Sequence, residues 1–309
     1  MHQHSLHHHA RHLGWDRDTP PALTIAPGDR VEVRCADASG GQIRPDATVD
    51  AVAGLSAERA NPLSGPLYVD GAEPGDALAI DILAVQPSGW GWTAIIPGFG
   101  LLAADFSAAH LIVSRHDAQA AEFLPGVRIP VRPFIGTIGV APAEHGTHVV
   151  IPPYRTGGNM DCRDLVAGAR LWLPVAVPGA LLSLGDTHVA QGDGEVCGTA
   201  IEAPMDVHLR VTLHKGKGPP SPMLDLPAAP LRSEYQRGFC VTTGIGPDLM
   251  QAARDAVRHL VDTLCARHHM QPEDAYCLIS VAADLRISEI VNAPHWTVSA
   301  YFPNAVMMD

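Results

Sequence analysis

Lysine is almost missing from this 309-residue chain: only Lys215 and Lys217 occur, both in the run Lys215-Gly216-Lys217-Gly218-Pro219-Pro220-Ser221-Pro222. Chemistry that needs a buried lysine, its amine pushed toward neutrality by loss of water, has no candidate there, because a glycine-proline linker leaves both ammonium groups wet. Positive charge is scarce in general. With 21 Lys+Arg against 33 Asp+Glu the net charge is −12, so a nucleic-acid backbone and an anionic membrane surface are excluded as natural partners. No apolar run reaches the ~18 residues of a spanning helix. No signal-peptide pattern opens the chain, and Cys35, Cys162, Cys197, Cys240, Cys265 and Cys277 show no CxxC spacing, which points to a reduced, cytoplasmic protein. The G-x-S-x-G nucleophile elbow is absent too, since Ser107, Ser114 and Ser183 lack its flanking glycines.

What is present reads as many short strands. Glycine (29) and proline (27) are spread along the whole chain and so mark turns between elements rather than one disordered tract. Arg30 to Cys35 and Val207 to Leu213 alternate apolar with polar side chains, the pattern of half-buried antiparallel strands. Leu78 to Val85 and Leu111 to Ser114 add apolar runs bounded by turns. After Gly246 the period changes: Leu249, Ala253, Ala256, Val257, Leu260, Val261 and Leu264 predict an amphipathic helix entered through Pro247. A second helix is expected from Pro272-Glu273-Asp274 toward Asp284. The expected fold is mostly β, in sandwich or barrel layers, with an α+β C-terminal lobe carrying two amphipathic helices. Four stretches are expected: a flexible His-rich tail over 1–16, a strand-rich part over 17–214, a linker over 215–230 and the lobe over 231–309.

The densest chemistry lies in Gly185-Asp186-Thr187-His188-Val189-Ala190-Gln191-Gly192-Asp193-Gly194-Glu195, directly after an apolar segment. If a strand continues through Gly185, Asp186 and His188 project to one face, as a metal ligand beside its orienting carboxylate would. Gly192 and Gly194 would let the chain turn and return Gln191 and Glu195 to that face. Elsewhere Asp76, after Pro74-Gly75, reads as turn closure. Arg163 and Arg286 offer forks for buried carboxylates. Trp90, Trp92 and Phe99 suit either core packing or the wall of a small apolar pocket.

Several blocks together resemble the acetamidase/formamidase family: PPALTIAPGDRVEV at 20–33, GPLYVDGAEPGDALAIDIL at 65–83, IGTIGVAP at 135–142, GNMDCRDL at 158–165 and LWLPVAVPGALLSLGDTHVAQGDGEVCGTAIE at 171–202. Near the C-terminus TTGIGPDLMQAARDAVRHLVD and EDAYCLISVAADLRISEIV fit it as well. The resemblance implies hydrolysis of a short aliphatic amide to a carboxylate and ammonia, and homo-oligomeric assembly. With lysine excluded, a carboxylate and histidine site holding a divalent cation is the expected means, zinc first and calcium as the alternative. Matching the family's polar blocks gives Asp37, Asp161 and His188 as metal ligands, Glu195 with Asp186 as the catalytic pair, and Asn159, Gln191, Gln42 and Glu73 on the substrate. His12, ahead of Gly14-Trp15-Asp16, is the one tail histidine with a family counterpart. Where some members have His-Gly-Gly-Asn, this chain has Thr156-Gly157-Gly158-Asn159, so that histidine's role does not carry over. Two readings stand beside this one: a γ-lactamase opening a cyclic amide by the same chemistry, and a non-catalytic small-molecule-binding β-sandwich with a structural cation. A Cys162 or Cys197 nucleophile is disfavoured, because neighbouring carboxylates would suppress the thiolate.

Overall fold

The computed structural model describes residues 2–7, 9–226, 237–290 and 294–308. Four sheets carry the fold, and their burial follows from their side-chain patterns. The first has strand order β1 (Gln3–Leu6), β4 (Arg30–Cys35), β15 (Met205–His214), β6 (Ala77–Pro87), β13 (Arg170–Pro174), β16 (Met223–Asp225). The two alternating segments of the sequence are its neighbours β4 and β15, paired antiparallel with Val33 opposite Val207. Both bury every second residue, so this sheet is half-wet. The second sheet is a meander of β10 (Val127–Pro130), β9 (Ala120–Leu124), β8 (His110–His116) and β7 (Trp90–Ile95).

The third sheet is different in kind. Its order is β12 (Gly157–Asn159), β11 (Phe134–Gly139), β14 (Leu182–His188), β5 (Leu63–Val69), β2 (Arg11–His12), with β3 (Leu23–Ile25) parallel to β5. Every residue of β11 and of β14 is buried, so these central strands are covered on both faces. Leu67, Ile135, Ile138, Leu182 and Leu184 from this sheet share one core with Val31, Val33, Ile80, Leu171 and Val207 from the first.

The fourth sheet, β17 (Phe239–Gly246), β19 (Trp296–Pro303) and β18 (Asp284–Glu289), belongs to the C-terminal lobe. A four-residue helix α1 (Asp50–Ala53) lies in the first part, whereas α2 (Leu249–His268) and α3 (Pro272–Ala282) lie in the lobe. In α2 the Asp248 carboxylate caps the first turn by accepting from Gln251 N–H, and the expected apolar stripe is buried, with Leu249 partly so. The helix expected at Pro272 starts there, but it buries seven consecutive residues, Ala275 to Val281, and is a core helix rather than a one-faced one.

Two further expectations change. The segment read as a flexible tail is ordered: β1 pairs parallel with β4, and β2 pairs with β5. Its anchor is Asp29, whose carboxylate accepts from His2 N–H at 2.6 Å and lies 3.0 Å from His4 Nε2. The segment read as linker contributes β16 to the edge of the first sheet, and residues 227–236, where linker and lobe were expected to meet, lie outside the described residues. Among the described residues no helix is long and apolar enough to cross a membrane.

Candidate active site

His188, the last residue of β14, is fully buried, with Phe134 of β11 edge-on at 4.9 Å. The amide of Gln191 fixes its tautomer. Gln191 Nε2 donates to the Asp161 carbonyl at 2.8 Å, which leaves Oε1, 2.9 Å from His188 Nδ1, to accept the proton of that nitrogen. Nε2 of His188 therefore faces the acids: Asp186 Oδ1 is 3.1 Å away and Glu202 Oε2 3.2 Å. Asp161 and Glu195 complete a ring of four carboxylates around the imidazole. Ligand atoms of Asp161, Asp186 and His188 lie within 4.8 Å of one another, and so do those of His188, Glu195 and Glu202.

The backbone is bent to make this convergence. Asp161, Asp186 and Glu195 have φ of 45°, 48° and 44°, a left-handed conformation that non-glycine residues adopt at a cost and that collects at functional sites. Gly136 on β11 leaves the space: a Cβ there would stand 2.6 Å from the Asp186 carbonyl, 2.7 Å from His188 Cε1 and 2.8 Å from Asp161 Oδ1.

Burial without charge compensation sets the electrostatics. For Asp161, desolvation and then the Asp186 charge push the carboxyl up to about 6. Glu202 is pushed up to about 8, by burial against the opposing pull of His188. Burial and the neighbouring Asp161 raise Glu195 well above its ordinary range. Burial acts against the charge on Asp186 and His188 too. Even so, His188 with hydrogen bonds from its neighbours keeps Asp186 low, and Glu202 with Asp186 holds the imidazole well above its usual value. Asp161 Oδ1 is buried without a hydrogen-bond partner, and Glu202 Oε2, which has none either, keeps only its 3.2 Å ion-pair contact with His188 Nε2. One imidazole nitrogen and several carboxyl oxygens, Asp161 Oδ1 among them without a partner, form a donor set that fits a divalent cation, so this cluster could hold a metal ion.

The loop carrying Glu195 is gripped by the C-terminal lobe. Tyr276 of α3 donates its hydroxyl proton to the Val196 carbonyl and accepts from Leu102 N–H at 2.8 Å. Ser280 Oγ accepts from Cys197 N–H at 3.2 Å and donates to the Thr199 carbonyl at 2.8 Å. Gly192 N–H donates to the Ser280 carbonyl at 2.8 Å, an approach so close that a Cβ on Gly192 would meet the Ala283 carbonyl at 1.9 Å. Arg163 and Arg286 both pair with the Asp284 carboxylate of β18, the role expected of them.

Of the residues expected at the site, Asp161, Asp186, His188, Gln191 and Glu195 come together, with Asn159 beside them on the cavity wall. Gln191 bonds His188 and the Asp161 backbone, so it orients the imidazole instead of meeting a substrate. Asp37 does not join the ligand group. Its carboxylate is filled by Ser39 N–H, the Ser39 hydroxyl, Gly41 N–H and Trp92 Nε1–H, which closes the turn after β4. Gln42 spends both ends of its amide on Ser39 and Ser56, tying one loop together. Glu73 is exposed in the turn that Asp76 closes, donating its N–H to Asp76. His12 is held between the Gly14 carbonyl and the Ser183 hydroxyl, each at 2.9 Å, and burial lowers its pKa. Glu202 was missed. It is the only charged residue between Glu195 and Asp206, in an otherwise apolar run, and that isolation was the available signal.

Lys215 pairs with Asp76 at 2.6 Å and is not among the residues that line the cavity at the cluster, so its amine does not serve the site. Cys162 is raised by burial and by Asp164 and Asp193, as its acidic surroundings imply. For Cys197 the expectation reverses: burial would raise the thiol, but hydrogen-bonding groups on Cys277, Ser280 and Thr199 bring it to about 7. That sulfur is nevertheless fully buried and absent from the cavity wall.

The cluster forms the floor of a cavity of about 490 Å³, with Asp161, Asp186, Glu195 and Glu202 exposed to it beside Trp92 and Phe99. A mostly β protein with a buried acid and imidazole centre at the foot of an open pocket presents a small-molecule site whose cluster could hold a metal ion. The comparisons narrow this: the chain belongs to the Acetamidase/Formamidase family, whose sequence pattern matches residues 1–149 and 143–308. A Schizosaccharomyces pombe protein provisionally named a formamidase is 32% identical over 263 residues, covering 66% of this chain. The chain spans 64% of that relative's length. Among solved structures, a γ-lactamase from Delftia acidovorans superposes with a TM-score of 0.89 at 26% identity, over 96% of this chain and 89% of the other. An acetamidase from Bacillus halodurans gives 0.69 at 30% identity, over 98% and 97%.

Proposed function

We propose that this chain hydrolyses an amide to a carboxylate and ammonia with a divalent cation, zinc in the first instance, held by Asp161, Asp186 and Nε2 of His188. The observation that carries the reading is the buried, unpartnered Asp161 Oδ1 and the facing Glu202 Oε2, which meets only the imidazole, beside a ring whose other nitrogen is already fixed. A cation bound there would polarise the amide carbonyl and make water acidic enough to attack near neutral pH. Glu195, on the cavity floor next to that group, takes a proton from the attacking water and passes it to the nitrogen as the C–N bond breaks. Asn159 holds the amide oxygen. Its Oδ1 accepts from Thr137 and one Nδ2 hydrogen goes to the Ile151 carbonyl at 3.2 Å, which leaves the second hydrogen for the substrate. Asp186, expected as a catalytic partner of Glu195, is reassigned to holding the cation because of its place against His188 Nε2. Names of relatives in the family support amide hydrolysis. The higher TM-score with a γ-lactamase, 0.89 against 0.69, supports a cyclic amide as the second reading.

The test is ammonia release from acetamide, and ring opening of a γ-lactam, by metal-loaded enzyme, chelator-stripped enzyme and Glu195→Gln. Turnover that vanishes on stripping and returns with one cation supports the reading. Full activity after stripping would overturn the metal-assisted reading, and no turnover at all would favour a binding protein with a structural cation.

A further inference from the structure

The cavity is far larger than the smallest amides need. At about 490 Å³ it lies within the size range of sites for ligands of many atoms. Acetamide, with four heavy atoms, would occupy roughly 120 Å³ of it at ~30 Å³ per water-sized atom. The chemistry of its wall is divided. Polar groups collect at the floor, whereas Leu55, Ile96, Phe99, Ile151 and Pro153 line the remainder. Two of these are largely exposed, Phe99 at 44% and Ile151 at 47%. Phe99 is seated with its ring on Gly198, where a Cβ would come within 2.5 Å of Cδ1, so its position above the floor is fixed by a close backbone approach. Four carboxylates line the cavity and, among the described residues, no lysine, arginine or histidine does, so away from the floor the wall offers no partner for an anionic group.

We propose that the substrate is a neutral amide whose acyl part is a bulky apolar group, of roughly eight to twelve heavy atoms in all, rather than formamide or acetamide. This rests on the hydrolysis reading above and specifies it. The amide sits at the acidic floor, and the hydrocarbon covers Leu55, Phe99 and Ile151, removing their exposed surface from water. A far-end carboxylate would lie against the apolar upper wall, where no lysine, arginine or histidine among the described residues meets it, and is rejected by the cost of its desolvation.

The test compares kcat/KM for acetamide, butanamide, hexanamide, benzamide and the monoamide of glutaric acid on metal-loaded enzyme, with calorimetric binding of the same series to Glu195→Gln. Each added methylene should raise kcat/KM and tighten binding about fourfold, which is ~0.8 kcal/mol converted, so hexanamide should exceed acetamide by about 100-fold or more. The glutaric monoamide should fall at least tenfold below hexanamide. Phe99→Ala should cut the hexanamide-to-acetamide ratio by about tenfold, because it removes one rim side chain from the acyl path. Acetamide as the best substrate, with binding flat along the series, would overturn the inference and leave amide hydrolysis standing. Graded binding without turnover of any amide would overturn the hydrolysis reading and keep the ligand class.

Discussion

The two halves of the acidic cluster are held by different means. Asp186 and His188 stand on β14, where pairing with β11 and β5 sets the register and burial on both faces leaves no alternative arrangement. Glu195 and Glu202 ride on irregular chain, and what places Glu195 is the lobe: Tyr276 and Ser280 of α3 and Asp284 of β18 hold residues 192–199. The difference teaches how the labour divides. A rigid sheet suits the grip on a cation, which tolerates little displacement of its ligands, whereas a loop gripped by a separate element can carry the group that moves protons. Damage to the sheet half should therefore abolish metal binding and turnover together, and damage to the loop half should separate them.

The largest effect is expected from Gly136→Ala, which places a methyl against Asp186, His188 and Asp161 at once. Metal content and kcat should both be lost, the latter by at least ~1,000-fold, with about 2–4 kcal/mol of stability, read by metal analysis, kinetics and thermal unfolding. Next, Glu195→Gln should lower kcat by about 100- to 10,000-fold at unchanged metal stoichiometry. Gln191→Ala frees the His188 ring and should weaken metal affinity by about 10- to 100-fold, measured by competition with a chelator. Ser280→Ala strands Cys197 N–H and the Thr199 carbonyl. It should cost about 1–3 kcal/mol of stability and lower kcat by roughly tenfold while metal stays bound, the result that would sharpen the division most. At the small end, Lys215→Ala removes a largely exposed ammonium from Asp76 and the Gly71 carbonyl but leaves Asp76 its bonds from Glu73 N–H and Gly216 N–H, and it should change stability by about 1 kcal/mol, leaving kcat untouched.

The sheet half was legible in the sequence for a physical reason. Asp186 and His188 lie two apart on one strand, and strand geometry alone puts them on a common side. The glycines at 192 and 194 announced the return of Glu195, and the apolar period from Leu249 announced α2. Asp37, Gln42 and Glu73 misled because residues that close turns have the same polar, glycine-flanked signature as ligands, and only their hydrogen bonds distinguish the two. Glu202 stayed hidden because it lies eight positions beyond Gly194 on irregular chain and reaches His188 through an isolated β-bridge and a side-chain contact that no local pattern announces. The grip of α3 on the Glu195 loop is a long-range packing event, and local pattern carries no trace of it.

The central claim is most directly tested by measuring metal stoichiometry and amide turnover on the same preparations of wild type, His188→Ala and Glu195→Gln. The account predicts full metal and full turnover in wild type, neither in His188→Ala, and full metal without turnover in Glu195→Gln. Turnover by metal-free wild type, or loss of metal from Glu195→Gln in step with its activity, would contradict it.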